Sequence, residues 1–188
     1  MLEIIFSPLS YLKIRHELKR AADWFYPAIF AAASCVLIFS FGQRGAISGP
    51  GGLVDRLILV CSVLPGFYIA AMAAIATFNR PNIDELMEEP SPTLVVRMGG
   101  KKNEIRLTRR RFLSHLFAFL CWESLFLLMS CVFAGIIGEG VIKMVPTSAA
   151  HGVVMAFCFV ITLFFWQMIC VTCLGLYYLG DRLFRPAY

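Results

Sequence analysis

Charged residues are scarce in this chain of 188 amino acids, of which 15% are charged and 59% are hydrophobic. A soluble domain has about a quarter charged residues and about half apolar residues. The shortage of charge therefore argues against a cytosolic globular fold. The 17 Lys and Arg and the 12 Asp and Glu residues are crowded into short stretches, and the long uncharged runs between them predict transmembrane helices.

Motifs of common enzyme classes are missing as well. The sequence contains neither a phosphate-binding glycine motif nor a nucleophile elbow. Its three histidines, His16, His115 and His151, are scattered without the spacing of metal ligands, and Ser114 beside His115 is only a neighbour in sequence. We therefore expect no cofactor and no metal.

Four apolar runs predict an all-α fold, a four-helix transmembrane bundle. A helix needs about 20 residues to cross a hydrocarbon core of about 30 Å, and lipid offers no partner to the backbone of an open structure. The chain divides into a leading segment (1–23), a first helical hairpin (24–78), a loop (79–111), a second helical hairpin (112–179) and a tail (180–188). The predicted spans are Trp24 to Gly42, Leu57 to Phe78, Phe112 to Ile137 and Gly152 to Leu179.

The basic residues predict the orientation of the bundle. The leading segment, the 79–111 loop and the tail hold 14 of the 17 Lys and Arg residues, so the positive-inside rule places both termini and this loop in the cytoplasm. The net charge of +5 is then a topology signal that suits anionic headgroups rather than nucleic acid. The loops Gln43 to Arg56 and Gly138 to His151 are predicted to face outward and to be too small for a pocket.

The leading segment mixes apolar and basic residues between Ser7 and Asp23. This mixture predicts an N-terminal interfacial amphipathic helix that lies among the headgroups before the chain turns inward at Trp24. Such a helix either anchors the chain and sets its topology or senses lipid or binds a partner.

The 79–111 loop predicts a small cytoplasmic β-hairpin. Thr93 to Met98 and Glu104 to Leu107 are rich in β-forming residues and flank a glycine turn over 99–103, a pattern typical of hairpins. Because an isolated hairpin is marginally stable in water, we expect it to pair with other subunits or with a soluble partner.

Basic residues of this loop are the predicted docking residues. Thr108 is a predicted N-cap of the third helix, and three arginines follow it in the first turn, where cations oppose the helix dipole. Either lipid phosphates or a protein or nucleic-acid ligand would account for them. The predicted docking set is Arg97, Lys101, Lys102, Arg106, Arg109, Arg110 and Arg111.

Glu123 is the only charged residue inside the predicted spans. A carboxylate in hydrocarbon costs several kcal/mol unless it is protonated, paired or hydrated. Gln167 lies at a comparable depth in the fourth span, and a short loop joins the two spans, so we expect their side chains to meet in one hydrogen bond. The pair is either a packing contact or a proton or ion site.

The second span combines a predicted hinge with small residues. Pro65 and Gly66 lie near its middle and indicate a kink. Five alanines follow and favour close helix packing, within or between subunits; they are Ala70, Ala71, Ala73, Ala74 and Ala76.

All seven cysteines lie in the predicted spans, where most are expected to act as small hydrophobic residues. Cys170 and Cys173 have the spacing of a redox pair. A membrane thiol oxidoreductase is therefore a third hypothesis, although this pair lies in the half of its span that faces the cytoplasm.

The four spans, the basic leading segment and the stretch from Leu107 to Phe112 together resemble the membrane subunit of the Kiwa two-component antiphage defence system. The resemblance covers nearly the whole chain and is architectural. It implies a homotetrameric, non-enzymatic sensor of the bacterial inner membrane, which docks a soluble, DNA-binding effector on its cytoplasmic surface.

Two functional hypotheses lead from this point. The first is a sensor or scaffold that contacts membrane lipids, forms a homo-oligomer and docks a soluble cytoplasmic effector without touching nucleic acid itself. The alternative is a small oligomeric ion or proton channel built around Glu123.

Overall fold

The computed structural model describes residues 5–15, 17–42, 45–77, 81–86, 91–98 and 101–182. Four long apolar helices, numbered α1 to α4, dominate it, and by length and composition each is able to cross a membrane, which is compatible with the four predicted spans. They are α1 (Tyr26–Phe41, preceded by the π-helical turn Ala21–Phe25), α2 (Leu53–Thr77), α3 (Arg109–Met144) and α4 (Thr147–Tyr177, followed by the π-helical turn Tyr178–Arg182).

The centre of the bundle is the pair α3 and α4. Helix α2 packs on α3 and helix α1 packs on α4, so that the chain neighbours α1 and α2 lie on different members of the central pair. The core follows the inner face of α3, where Leu116, Leu120 and Leu127 are almost fully buried, and meets Met168 of α4.

The predicted extent of the loop over 138–151 is wrong, whereas its outward orientation stays a prediction. Helix α3 continues to Met144 and α4 begins at Thr147, which leaves only Val145 and Pro146 between them. Pro146 ends the helix because it has no N–H to donate, whereas glycine in a helix costs only about 1 kcal/mol. With 36 residues, α3 is about 54 Å long at about 1.5 Å per residue and exceeds the hydrocarbon core.

The leading segment is not one continuous amphipathic helix, and its position among lipid headgroups stays a prediction. It forms a 3-10 helix over Ser7–Lys13 and a short α-helix over Glu17–Arg20. The 3-10 helix packs along α3, where the Tyr11 ring stacks on Phe119 with centroids 4.9 Å apart. Burial of the Tyr11 ring against α3 therefore fixes the 3-10 helix to the bundle.

The predicted hairpin is confirmed. Strands β1 (Thr93–Met98) and β2 (Lys101–Arg106) pair antiparallel, with Thr93 opposite Arg106. The second strand begins three residues earlier than predicted, because the register places Met98 opposite Lys101. Gly99 and Gly100, within the predicted turn, lie outside the described residues.

The hairpin is supported by the chain's own leading segment. Arg15 pairs with Thr93 on the other side of β1, through two backbone hydrogen bonds of 3.1 and 3.3 Å. The Arg109 N–H donates to the Glu85 carbonyl, and Leu86 forms a bridge with Thr108. We call the segments 7–15, 81–86, 91–98 and 101–108 together the platform, and the end of the bundle that carries it the hairpin end.

Candidate functional site

Glu123 lies deep inside the bundle, with 1% of its surface exposed. It is eleven residues past Phe112 on α3, hence about 16 Å along the helix, which is near the middle of a hydrocarbon core of about 30 Å. In the part of the chain that the structure describes, neither carboxyl oxygen has a hydrogen-bond partner. The predicted intramembrane carboxyl is thus buried and unpaired.

The predicted hydrogen bond between Glu123 and Gln167 is not formed. Each side chain lies about twenty residues from the turn between α3 and α4, so both are at about the same depth, as predicted. Gln167 is also 1% exposed, and its amide oxygen and nitrogen have no partner among the described residues. Two unpaired polar side chains therefore share one level of the bundle.

A second buried acid, Asp23, lies in the π-helical turn before α1 and was missed by the sequence analysis. It is 1% exposed, and the Tyr11 hydroxyl donates to its Oδ1 at 3.1 Å. The Lys19 ammonium, itself 4% exposed, donates to Oδ2 and lies 4.1 Å from the centre of the Tyr11 ring. We call Tyr11, Lys19 and Asp23 the buried trio. Its only signal in the sequence is the i, i+4 spacing of Lys19 and Asp23.

The buried trio and Glu123 belong to one electrostatic environment. Electrostatic interactions connect Glu123 with Asp23 and with the Tyr11 hydroxyl. Burial, and after it the Asp23 carboxylate, raises the pKa of the Tyr11 phenol far above its ordinary value. Tyr11 therefore stays a neutral hydrogen-bond donor to Asp23.

Arg110 contributes to the structure of the hairpin end. Its guanidinium donates to both carboxylate oxygens of Asp84, at 2.7 and 2.9 Å. It also donates to the carbonyls of Ile75 and Ala76 in the last turn of α2, at 3.0 and 3.1 Å. The last four carbonyls of a helix generally have no partner within the helix, and a cation suits the negative end of the helix dipole. Arg110 thus joins α2, the 81–84 turn and α3.

The other predicted docking residues surround the hairpin. Thr108 is the N-cap of α3, as predicted, and accepts a hydrogen bond from the Arg111 N–H at 3.4 Å. The Arg111 and Arg106 side chains are exposed and Arg109 is half-buried. Arg97, Lys101 and Lys102 have described backbones in β1 and β2, whereas their side chains lie outside what the structure describes.

The predicted hinge lies within a continuous α2. Pro65 is inside the helix, and the Cys121 thiol of α3 donates to its carbonyl at 3.9 Å. A side chain at Gly66 would meet nothing within 4 Å. Most of the small residues that follow are exposed; Ala71 alone among them is half-buried against the core. A role as a hinge stays a prediction.

Further polar contacts connect residues that are distant in the sequence. His115 is hydrogen-bonded to Ser10 at 3.1 Å rather than to Ser114. The Cys35 thiol of α1 lies 3.9 Å from the Cys158 sulfur of α4. Cys170 is half-buried and Cys173 exposed, and both are free thiols. No sequence spacing signals these contacts between helices.

An apolar groove of about 250 Å³ lies at the other end of the bundle, between Ile47, the outer part of α3 and Phe157 of α4. The prediction that the loops 43–56 and 138–151 are too small for a pocket is wrong, because Ile47 lines this groove together with the part of α3 that extends beyond the predicted span. The groove is therefore a product of the two long helices.

Comparison with protein families, with curated proteins and with solved structures finds no match to this chain. Among the described residues, no group of three or more His, Cys, Asp or Glu side chains has the arrangement of a metal site. The candidate sites are accordingly the platform and the buried acids.

Proposed function

We propose that the protein is a non-enzymatic, multi-pass scaffold or sensor of the bacterial inner membrane, which docks a soluble effector on its cytoplasmic platform. This is the function that the resemblance to the Kiwa membrane subunit implies. The observation that carries the proposal is the platform itself, since it is a folded unit outside the apolar helices and is fixed to the start of α3 by backbone hydrogen bonds.

Strand β2 is the side of the platform that suits a partner. Strand β1 has β2 on one side and Arg15 on the other, whereas β2 has no second neighbour among the described residues. An open edge offers backbone donors and acceptors to an added strand. The basic residues Lys101 and Lys102 lie at the start of this strand, so the proposed partner presents an acidic segment.

A shortened hairpin tests this proposal. Replacing residues 95–104 by a two-residue turn removes the outer pairs of the hairpin but keeps Thr93 opposite Arg106 and the Thr108 cap. We expect the effector that co-purifies with the wild type to be lost, while membrane insertion and thermal stability are retained. A matched variant, Lys101→Gln with Lys102→Gln, separates charge from strand length. Unchanged co-purification of the effector with the shortened chain contradicts the proposal.

We further propose that the protein forms a homo-oligomer, with a tetramer implied by the resemblance. Gly66, Ala70, Ala73 and Ala74 are all exposed, and their spacing places them on one side of α2. Small residues allow membrane helices to approach closely. Ala70→Ile is expected to reduce the oligomer in native mass spectrometry from detergent, whereas Leu59→Ile, at another exposed site of α2, is expected to leave it intact.

A second candidate function is an oligomeric ion or proton pathway. The absence of partners for Glu123 and Gln167 within the described residues favours it, because polar groups in a membrane face cavities or one another. Reconstituted protein would then show a conductance that Glu123→Gln reduces. A conductance equal to that of the wild type removes Glu123 from the pathway.

A further inference from the structure

The leading segment passes directly beside Glu123. The Phe6 ring lies 6.2 Å from the ring of Trp122, the residue before Glu123. The Tyr11 ring stacks on Phe119, one helical turn before Glu123. The segment therefore covers the face of α3 that carries this carboxyl.

The groups around Glu123 provide no compensating positive charge. The titratable groups that interact electrostatically with Glu123 are Asp23 in the turn before α1, Tyr11 in the leading segment, and Tyr68 and Cys61 in α2. Gln167, buried on α4, is uncharged. Lys19 is engaged by Asp23, whose two oxygens already accept from Lys19 and Tyr11. Among the described residues, Glu123 has no ion pair.

We propose that Glu123 is a proton-binding site and that the proton it holds keeps the leading segment seated against α3. With Glu123 protonated, the site contains one cation and one anion, Lys19 and Asp23, and is neutral. With Glu123 ionised, two buried carboxylates share one cation, Lys19, and repel each other. Relief of that repulsion requires water, which enters when the leading segment leaves α3.

The direction of the response follows from the charge count. At acidic pH Glu123 is protonated and the leading segment stays packed on α3. At alkaline pH Glu123 loses its proton and the leading segment is released. Because Arg15 of the same segment pairs with β1, release also removes a backbone neighbour from the platform. The site thus links the protonation state of the membrane interior to the hairpin. It requires neither a docked effector nor ion conduction, and it is independent of both proposed functions.

The test uses the full chain in lipid nanodiscs, with two readouts followed against pH. Infrared spectra of protein with isotopically labelled glutamate report the carbonyl band of a protonated carboxyl group. A nitroxide-bearing amino acid in place of Ser7, an exposed position of the 3-10 helix, reports the mobility of the leading segment. We expect the band at pH 7 and an immobile nitroxide, and on raising the pH we expect the band and the immobilisation to be lost with one midpoint.

Two variants make the result decisive. Glu123→Gln mimics the protonated form, so the band at pH 7 disappears and the nitroxide stays immobile at every pH. Glu139→Gln, at an exposed position near the far end of α3, retains both wild-type responses. The absence of the Glu123 band at pH 7, or release of the segment in Glu123→Gln at the wild-type midpoint, overturns the proposal.

Discussion

The hairpin end and the centre of the bundle treat buried polar groups in different ways. At the hairpin end, Asp23 accepts hydrogen bonds from Lys19 and Tyr11. At the centre, Glu123 and Gln167 have no partner among the described residues. Burial does not explain the difference, since Asp23 and Glu123 are both 1% exposed.

This contrast separates stabilising polar groups from groups with another purpose. Nearly all buried polar groups in proteins are hydrogen-bonded, and each exception needs an explanation. The buried trio fixes the leading segment to the start of α1, which is a structural role. Glu123 and Gln167 make no side-chain hydrogen bond within the described residues, and we propose that they serve proton binding or contacts between subunits.

The largest expected effect is at Lys19. Lys19→Met leaves the Asp23 carboxylate buried with only Tyr11 as a donor, and removing one member of a buried ion pair costs about 3–5 kcal/mol. We expect a loss of that order in the free energy of unfolding, measured by denaturant titration in detergent at pH 7. The double variant Lys19→Met with Asp23→Leu removes both charges and is expected to recover most of the loss. A single variant as stable as the wild type would show that Asp23 does not depend on Lys19.

At the centre of the bundle, we expect a substitution to increase the free energy of unfolding rather than to decrease it. Gln167→Leu replaces a buried, unpaired amide by an apolar side chain, and such an amide costs about 1–3 kcal/mol. We expect a gain of about 1 kcal/mol in unfolding free energy, by the same titration of the monomeric form in detergent. Destabilisation instead would show that Gln167 has a partner, and the contrast between the two regions would then fail.

The sequence predicts the parts of this fold that depend on composition and short-range pattern. The four spans follow from apolar runs, the hairpin from β-forming residues around Gly99 and Gly100, and the Thr108 cap from its place before an apolar run. The burial and depth of Glu123 follow from its isolation among apolar residues. Each of these signals extends over a few neighbouring residues or one helix.

Features that depend on packing between distant segments were missed. The basic residues between Lys13 and Arg20 indicate a surface helix, yet Tyr11 is fully buried because Phe112 and Phe119, about a hundred residues away, provide its surroundings. The same distance conceals the contacts of His115 with Ser10 and of Cys35 with Cys158. The glycines of the predicted 138–151 loop were misread because Pro146, rather than any glycine, ends the helix.

A smaller loss of unfolding free energy is expected from substitutions at Thr108, the N-cap of α3. Thr108→Ala removes the side-chain acceptor for the Arg111 N–H, and the loss of an N-cap costs about 1 kcal/mol. Thr108→Ser keeps the hydroxyl and is expected to match the wild type in the same denaturant titration. Equal destabilisation by both variants would assign the effect to the methyl group and not to the cap.

The smallest change in unfolding free energy is expected from removing the ion pair between Arg15 and Glu104, which tests whether charge stabilises the hairpin end. Arg15 and Glu104 form an ion pair of 3.8 Å, but their side chains are 77% and 58% exposed. Exposed pairs contribute about 0–1 kcal/mol and are screened by salt, so Glu104→Gln is expected to change the unfolding free energy by less than about 0.5 kcal/mol. The backbone pairing of Arg15 with Thr93 does not depend on this charge and is expected to persist, as amide hydrogen exchange at Thr93 would show. A large loss of unfolding free energy in Glu104→Gln would mean that ion pairs stabilise the platform. The stability of the platform would then decrease with salt concentration, whereas the buried trio is shielded from salt.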